Sequence, residues 1–217
     1  MVFDFHGIMH NGHLLLIQNA EEVLIAHGYK NPAILIHPSS KWSNIRFIYL
    51  YILCKQLIYA ATSEIPLPIM IAQYRASINS IKVDTTKNVT IVLLVFPERI
   101  MEWKSHSFEN YVRVHCLLGV RFYAMVVEEF DHLICSKVKS PINTFNIMDL
   151  GRVTYDLEAQ QMRSYASESF DRQQIFTNDQ IQCMARSDQS PPEGFMANEA
   201  WEILRDYYQK NMTNNWK

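Results

Sequence analysis

The sequence predicts an α/β protein: a mostly parallel sheet followed by a small helical C-terminal subdomain. Three observations carry that reading. Short apolar runs alternate with longer segments of 3.6-residue period, as in chains that build crossover units. Runs such as Ile34-Leu35-Ile36 and Ile91-Val92-Leu93-Leu94-Val95 are apolar without alternation, the pattern of strands covered on both faces. Beyond about residue 157 the chain turns polar and serine-rich, with helix-like stretches and no strand signal. The expected organisation is therefore an α/β domain over residues 1–157 and a helical subdomain over residues 158–217.

Val2, Phe3 and Phe5 mark a first strand. A helix follows, with Leu16, Ile17, Ala20, Val23 and Leu24 on one face and Gly28 where a C-terminal cap belongs. Residues 33–37, closed by Pro38, read as a second strand, and residues 69–81 as a helix. The stretch 89–96 reads as a buried strand, 107–118 as a helix, 121–127 as a strand and 144–148 as a weaker one. A final helix starts at Asn198, taken as its N-cap, with Glu199 in the first turn and Trp201, Leu204 and Tyr208 as the buried stripe. Residues 47–61 are apolar but are broken by Lys55 and Gln56 and fall short of the roughly 20 residues a spanning helix needs. A buried helix or an apolar surface insertion fits them better than a membrane anchor.

Composition narrows the function classes. The net charge of −2 and the pI near 6.4 argue against a nucleic-acid binder held by phosphate contacts. Cys54, Cys116, Cys135 and Cys183 form no C-x-x-C pair, so neither a disulfide framework nor a zinc ribbon is expected. The N-terminal residues lack a basic then apolar leader pattern, and a reducing, cytoplasmic setting follows as the expectation. The sequons at Asn88 and Asn211 are then chance matches. With six glycines in 217 residues, a Walker A loop or a G-x-G-x-x-G turn is absent, so any phosphate chemistry needs another device.

His10-Asn11-Gly12-His13 supplies one. It lies between the first strand and the first helix, where unpaired backbone N–H groups and the positive end of the helix dipole attract phosphate. Gly12 lets the chain approach a nucleotide closely, and two imidazoles three residues apart reach the same phosphate chain. Two surface histidines at a helix cap are the plainer alternative. His115-Cys116 and His132-Leu-Ile-Cys135 make no tetrahedral set, and no spacing gives Cys116 a base.

The H-x-G-H placed after a strand resembles the signature of the nucleotidyltransferase superfamily. The ending Pro191-Pro192-Glu193-Gly194-Phe195-Met196-Ala197, followed by Ala200-Trp201-Glu202-Ile203-Leu204-Arg205-Asp206-Tyr207-Tyr208, is similar to the end of the ATP sulfurylase domain of bifunctional PAPS synthetases. Gly28-Tyr29-Lys30-Asn31-Pro32, His37-Pro38, Val95-Phe96-Pro97 and Phe122-Tyr123 resemble that domain as well. The likeness covers most of residues 2–42 and 65–210, leaves residues 43–63 as an unmatched insertion, and lacks the family's N-terminal subdomain and its APS kinase domain.

That resemblance implies a Rossmann-like nucleotidyltransferase fold and transfer of AMP from Mg2+-bound ATP to sulfate, giving adenosine 5′-phosphosulfate and pyrophosphate. It implies that sulfate attacks directly, with no protein nucleophile, and that His10 and His13 hold the ATP phosphates beside Gly12. The family's Gln-x-Arg-Asn falls on Asp4, Phe5, His6 and Gly7, so His6 stands where an arginine is expected. The family's Gly-Arg-Asp falls on Val126, Val127 and Glu128, and its Ser-Gly-Thr near Thr177, Asn178 and Asp179. Its Arg-Val is retained as Arg152-Val153, with Thr154 in place of alanine. These positions form the implied ATP and sulfate site, with His10, His13 and His6 as its catalytic candidates. An arginine fork suits a tetrahedral dianion, whereas Asp4 repels one. The implied activity is therefore impaired. The alternative is a non-catalytic paralogue or fragment that binds nucleotide weakly or pairs with an intact synthetase; the partner expected of either is a second copy of the chain or an intact synthetase.

Overall fold

The computed structural model describes residues 1–39, 65–80, 90–93, 122–125, 146–165 and 171–214. The expected helix over residues 107–118 and the apolar run 47–61 lie outside them. The elements are β1 (Val2–His6), α1 (Asn11–Ala26), β2 (Ala33–Ser39), α2 (Leu67–Ser80), β3 (Thr90–Leu93), β4 (Phe122–Met125), β5 (Asn146–Asp149), β6 (Val153–Asp156), β7 (Gln161–Ser164), β8 (Gln173–Gln174), α3 (Asn178–Arg186) and α4 (Asn198–Asn214).

The first five strands form one sheet in the order β3-β2-β1-β4-β5, and each neighbouring pair is parallel. Parallel neighbours need crossover connections, which is why apolar runs and helices alternate along the chain. Register pairs Phe3 with Ile36 and Phe3 with Ala124, so β1 occupies the centre. Phe3, Ile34 and Ile36 are fully buried. β3 departs from expectation: Val92 is 37% exposed, because β3 is the outer strand of the sheet among the described residues.

α1 buries Leu16, Ile17, Ala20 and Leu24, the face read from the sequence. It ends in a Schellman motif: the Gly28 N–H donates to the Ile25 carbonyl at 2.8 Å and the Tyr29 N–H to the Leu24 carbonyl at 3.1 Å. Gly28 takes φ +88°, a conformation that favours glycine. α2 starts at Leu67, two residues earlier than expected, because Pro68 in a first turn forfeits no helical hydrogen bond. In α4 the first helical bond runs from the Trp201 N–H to the Ala197 carbonyl at 2.9 Å. Asn198 is thus the first helical residue and not the cap ahead of it. Trp201, Leu204 and Tyr208 are buried as expected.

The C-terminal part is not purely helical, contrary to the reading above. β6, β7 and β8 form a second, antiparallel sheet in the order β7-β6-β8, and β7 and β8 fall within residues 158–217. Their sequences, Gln161-Met162-Arg163-Ser164 and Gln173-Gln174, carry one apolar residue between them. Outer strands with a solvated face give no apolar alternation to read. One hydrophobic core joins both regions, since Phe195, Met196, Ala200 and Leu204 cluster with Met9, Met70, Tyr74 and Leu16.

Candidate functional site

β1 ends where the strand order reverses, with β2 on one side and β4 on the other. In parallel sheets, the crevice beyond the carboxyl ends of the strands at such a point is where ligands bind. Asp4, Phe5 and His6 are the last three residues of β1, opposite His37, Pro38 and Ser39 of β2. The Gly7 carbonyl accepts the Tyr74 hydroxyl at 2.8 Å. A Cβ on Gly7 would meet the Asn178 side chain at under 3 Å, and Asn178 Oδ1 accepts the Ile8 N–H at 3.1 Å. The first turn of α3 is therefore seated on the chain leaving β1. Thr177 caps it, accepting the Gln180 N–H at 3.3 Å. Thr177 and Asn178 thus come to the same end of the sheet as H-x-G-H.

His10 is the N-cap of α1 in an extended conformation. Its Nδ1 accepts the Gly12 N–H at 3.1 Å, and the His10 N–H donates to Nδ1 of His13, also at 3.1 Å. Together they form a capping box in which imidazoles take the roles usually held by Ser or Thr and Glu. The ring centroids are 4.0 Å apart. An Nδ1 that accepts has no proton, so each neutral ring carries its proton on Nε2. Burial, then the neighbouring His13, pushes the His10 pKa well below the ordinary imidazole value. Burial brings His13 down to about 4. At neutral pH the pair is two uncharged Nε2–H donors.

The backbone at the start of α1 does not match the expectation of free donors. The Asn11 N–H donates to the Phe195 carbonyl at 2.9 Å, the Gly12 N–H to the His10 ring, and the His13 N–H to the His10 carbonyl at 2.9 Å. A helix start that is partly buried needs such partners, because a buried unpaired N–H is costly. The space over Gly12 is also taken: an added Cβ would lie 2.6 Å from Met162 Cε and 2.8 Å from the His10 ring. Close packing by its own chain accounts for glycine there.

The two motifs that stand out in the sequence meet in space. Besides the Asn11 to Phe195 bond, Asn11 Nδ2 donates to the Gly194 carbonyl at 2.9 Å. The His10 ring stacks on Phe195 with centroids 4.9 Å apart. Tyr155 of β6 donates its hydroxyl to the Glu193 carbonyl at 2.6 Å. Gly194 takes φ +69°, and a Cβ on it would clash with the Gln160 carbonyl oxygen. Pro-Pro-Glu-Gly-Phe-Met is thus a brace that clamps H-x-G-H from below.

Val153 is half-buried on β6, and Thr154 beside it is buried with no hydrogen-bond partner for its hydroxyl among the described residues. Val126, Val127 and Glu128 lie outside the described residues. Gln73 escaped the reading of the sequence. It is 2% exposed; its Oε1 accepts the Met9 N–H at 3.2 Å and its Nε2 donates to the Met9 carbonyl at 2.6 Å. A glutamine and a serine on the Met70-Gln73-Tyr74-Ser77 stripe of an otherwise apolar helix face were the available signal. Among the described residues, no group of three or more His, Cys, Asp or Glu is placed to hold a metal ion. No helix among them is long and apolar enough to cross a membrane.

No known protein-family profile matches the chain. Curated proteins do, among them two from Arabidopsis thaliana. ATP sulfurylase 2 is 20% identical over 222 residues, 95% of this chain and 42% of that protein. ATP sulfurylase 4, chloroplastic, is 20% identical over 221 residues, 95% of this chain and 43% of that protein. The relationship is distant and ATP sulfurylase-like. The chain spans less than half the length of the curated relatives it matches.

Proposed function

We propose that this chain is a Rossmann-like nucleotidyltransferase domain that binds ATP and acts as a sulfate adenylyltransferase with impaired turnover, related to the ATP sulfurylase domain of PAPS synthetases. The observation that carries the reading is the paired Nε2–H tautomer of His10 and His13 beyond the central strand of a parallel sheet. Neutral N–H donors suit phosphate oxygens and cannot serve as metal ligands while protonated. No described residue is therefore assigned to Mg2+, which would accompany ATP on its own phosphates.

In the proposed reaction a sulfate oxygen attacks the α-phosphorus of ATP, and the bond to the bridging oxygen of the β-phosphate breaks. Pyrophosphate carries off the electron pair. The two imidazoles hold the departing phosphates and donate to the charge that grows on them. The Gly194-Phe195 brace keeps the His10 ring in place, so orientation costs little at the moment of reaction. Impairment follows from sequence. Asp4 and His6 stand where the family places glutamine and arginine, and Val127 where it places a second arginine. Losing one preorganised donor lowers turnover by roughly 10²–10³.

The test is the reverse reaction, adenosine 5′-phosphosulfate plus pyrophosphate giving ATP, read by luminescence. ATP above a folded His10→Ala/His13→Ala control supports the enzyme, and a His6→Ala change then abolishes what remains. No ATP from folded protein that still binds nucleotide supports the second reading, a non-catalytic relative; the departures at Asp4, His6 and Val127 favour it over an intact enzyme.

A further inference from the structure

The Met9–His10 peptide group is hydrogen-bonded at both ends. Its carbonyl accepts Gln73 Nε2 at 2.6 Å, and its N–H, that of His10, donates to His13 Nδ1 at 3.1 Å. Gln73 Oε1 also takes the Met9 N–H at 3.2 Å, so one side chain grips the peptide groups on both sides of the Met9 Cα. Gln73 is itself fixed: it is 2% exposed on α2, and its Nε2 also reaches Ser77 Oγ at 3.4 Å. A peptide plane pinned at its carbonyl points its N–H in one direction, and a bond at one end polarises the other. That N–H is what requires an unprotonated Nδ1 on His13.

We propose that Gln73 is a positioning residue: through the Met9–His10 peptide it fixes the tautomer of His13 and so the direction of its Nε2–H. The consequence for phosphate binding rests on the nucleotide reading above; the tautomer relation does not. A buried glutamine replaced by leucine leaves the Met9 carbonyl and N–H without partners, and they are then free to rotate away.

The experiment uses the full chain with uniform 15N labelling. Scalar coupling between nitrogens across an N–H···N bond reports the His10 N–H to His13 Nδ1 bond directly. Coupling across the Gly12 N–H to His10 Nδ1 bond, which does not involve Gln73, is the internal control. The wild type is expected to show both. In Gln73→Leu the His10–His13 coupling is lost, the His13 ring shows both tautomers, and the Gly12–His10 coupling stays. Where Gln73→Leu fails to fold, Gln73→Met is close to glutamine in length and volume and carries neither the acceptor for the Met9 N–H nor the donor to the Met9 carbonyl. It is expected to show the same selective loss. Persistence of both couplings in a folded variant overturns the proposal, and so does loss of both, which would mean that Gln73 merely supports the loop. In nucleotide titrations the variant is expected to bind ATP on the order of tenfold more weakly, the worth of one misdirected donor. Failure of the wild type to bind ATP would overturn the function and leave the tautomer result standing.

Discussion

His13 illustrates how a single side chain links pH to folding. Its pKa is about 6.5 in the unfolded chain and about 4 in the fold. Between those values the unfolded chain binds the extra proton, so stability falls as pH drops through that window and is flat above it. Denaturant midpoints measured at pH 7 and pH 5 should differ more for the wild type than for His13→Gln, which keeps a capping-box acceptor without a titrating ring. Equal differences would contradict the burial of a neutral imidazole. The glycines separate two costs of the same substitution. Gly28→Ala meets only the positive φ, nothing lying within 4 Å of the new Cβ, and should cost about 1 kcal/mol. Gly194→Ala adds a clash with the Gln160 backbone oxygen and should cost more than about 2 kcal/mol. Thermal or denaturant unfolding of the two variants checks the order.

At the scale of elements, α3 owes its position to its first turn, because Asn178 carries the link to Ile8 and Gly7 and Thr177 carries the cap. Thr177→Ala should cost about 1 kcal/mol by denaturant unfolding; a cost near zero would mean that packing of Ile181 and Ala185 alone places the helix. The sheet and α1 were legible in the sequence because burial leaves a period: Phe3, Ile34 and Ile36 are interior, and Leu16, Ile17, Ala20 and Leu24 recur on one helical face. β7 and β8 were not, since polar outer strands are specified by backbone pairing to β6 and leave no apolar pattern. H-x-G-H was legible as a motif, but its use was not. His10 itself pairs the Gly12 and His13 N–H groups, while the Asn11 N–H is paired by Phe195, a contact across 184 residues that no local pattern encodes. Gln73 was hidden for the same reason, its role being set by what α2 packs against.

Across the whole molecule, the C-terminal segment completes the core of the N-terminal one. Phe195, Met196, Ala200 and Leu204 fill the same cluster as Met9, Leu16 and Tyr74, so heat should unfold the chain in one transition, with far-UV and near-UV circular dichroism changing together. Two separated transitions would show that the regions are stabilised independently. The shared core also places the Gly194-Phe195 brace under His10, which joins folding to the site. The central claim is that two neutral imidazoles receive the phosphates of a nucleotide. Calorimetric titration with ATP tests it most directly, comparing the wild type with His10→Asn/His13→Gln, a pair that keeps capping acceptors while removing both rings. The account predicts that ATP binds the wild type and that the folded double variant loses about tenfold or more in affinity. Equal affinity in both, or no binding by folded wild type, would contradict it.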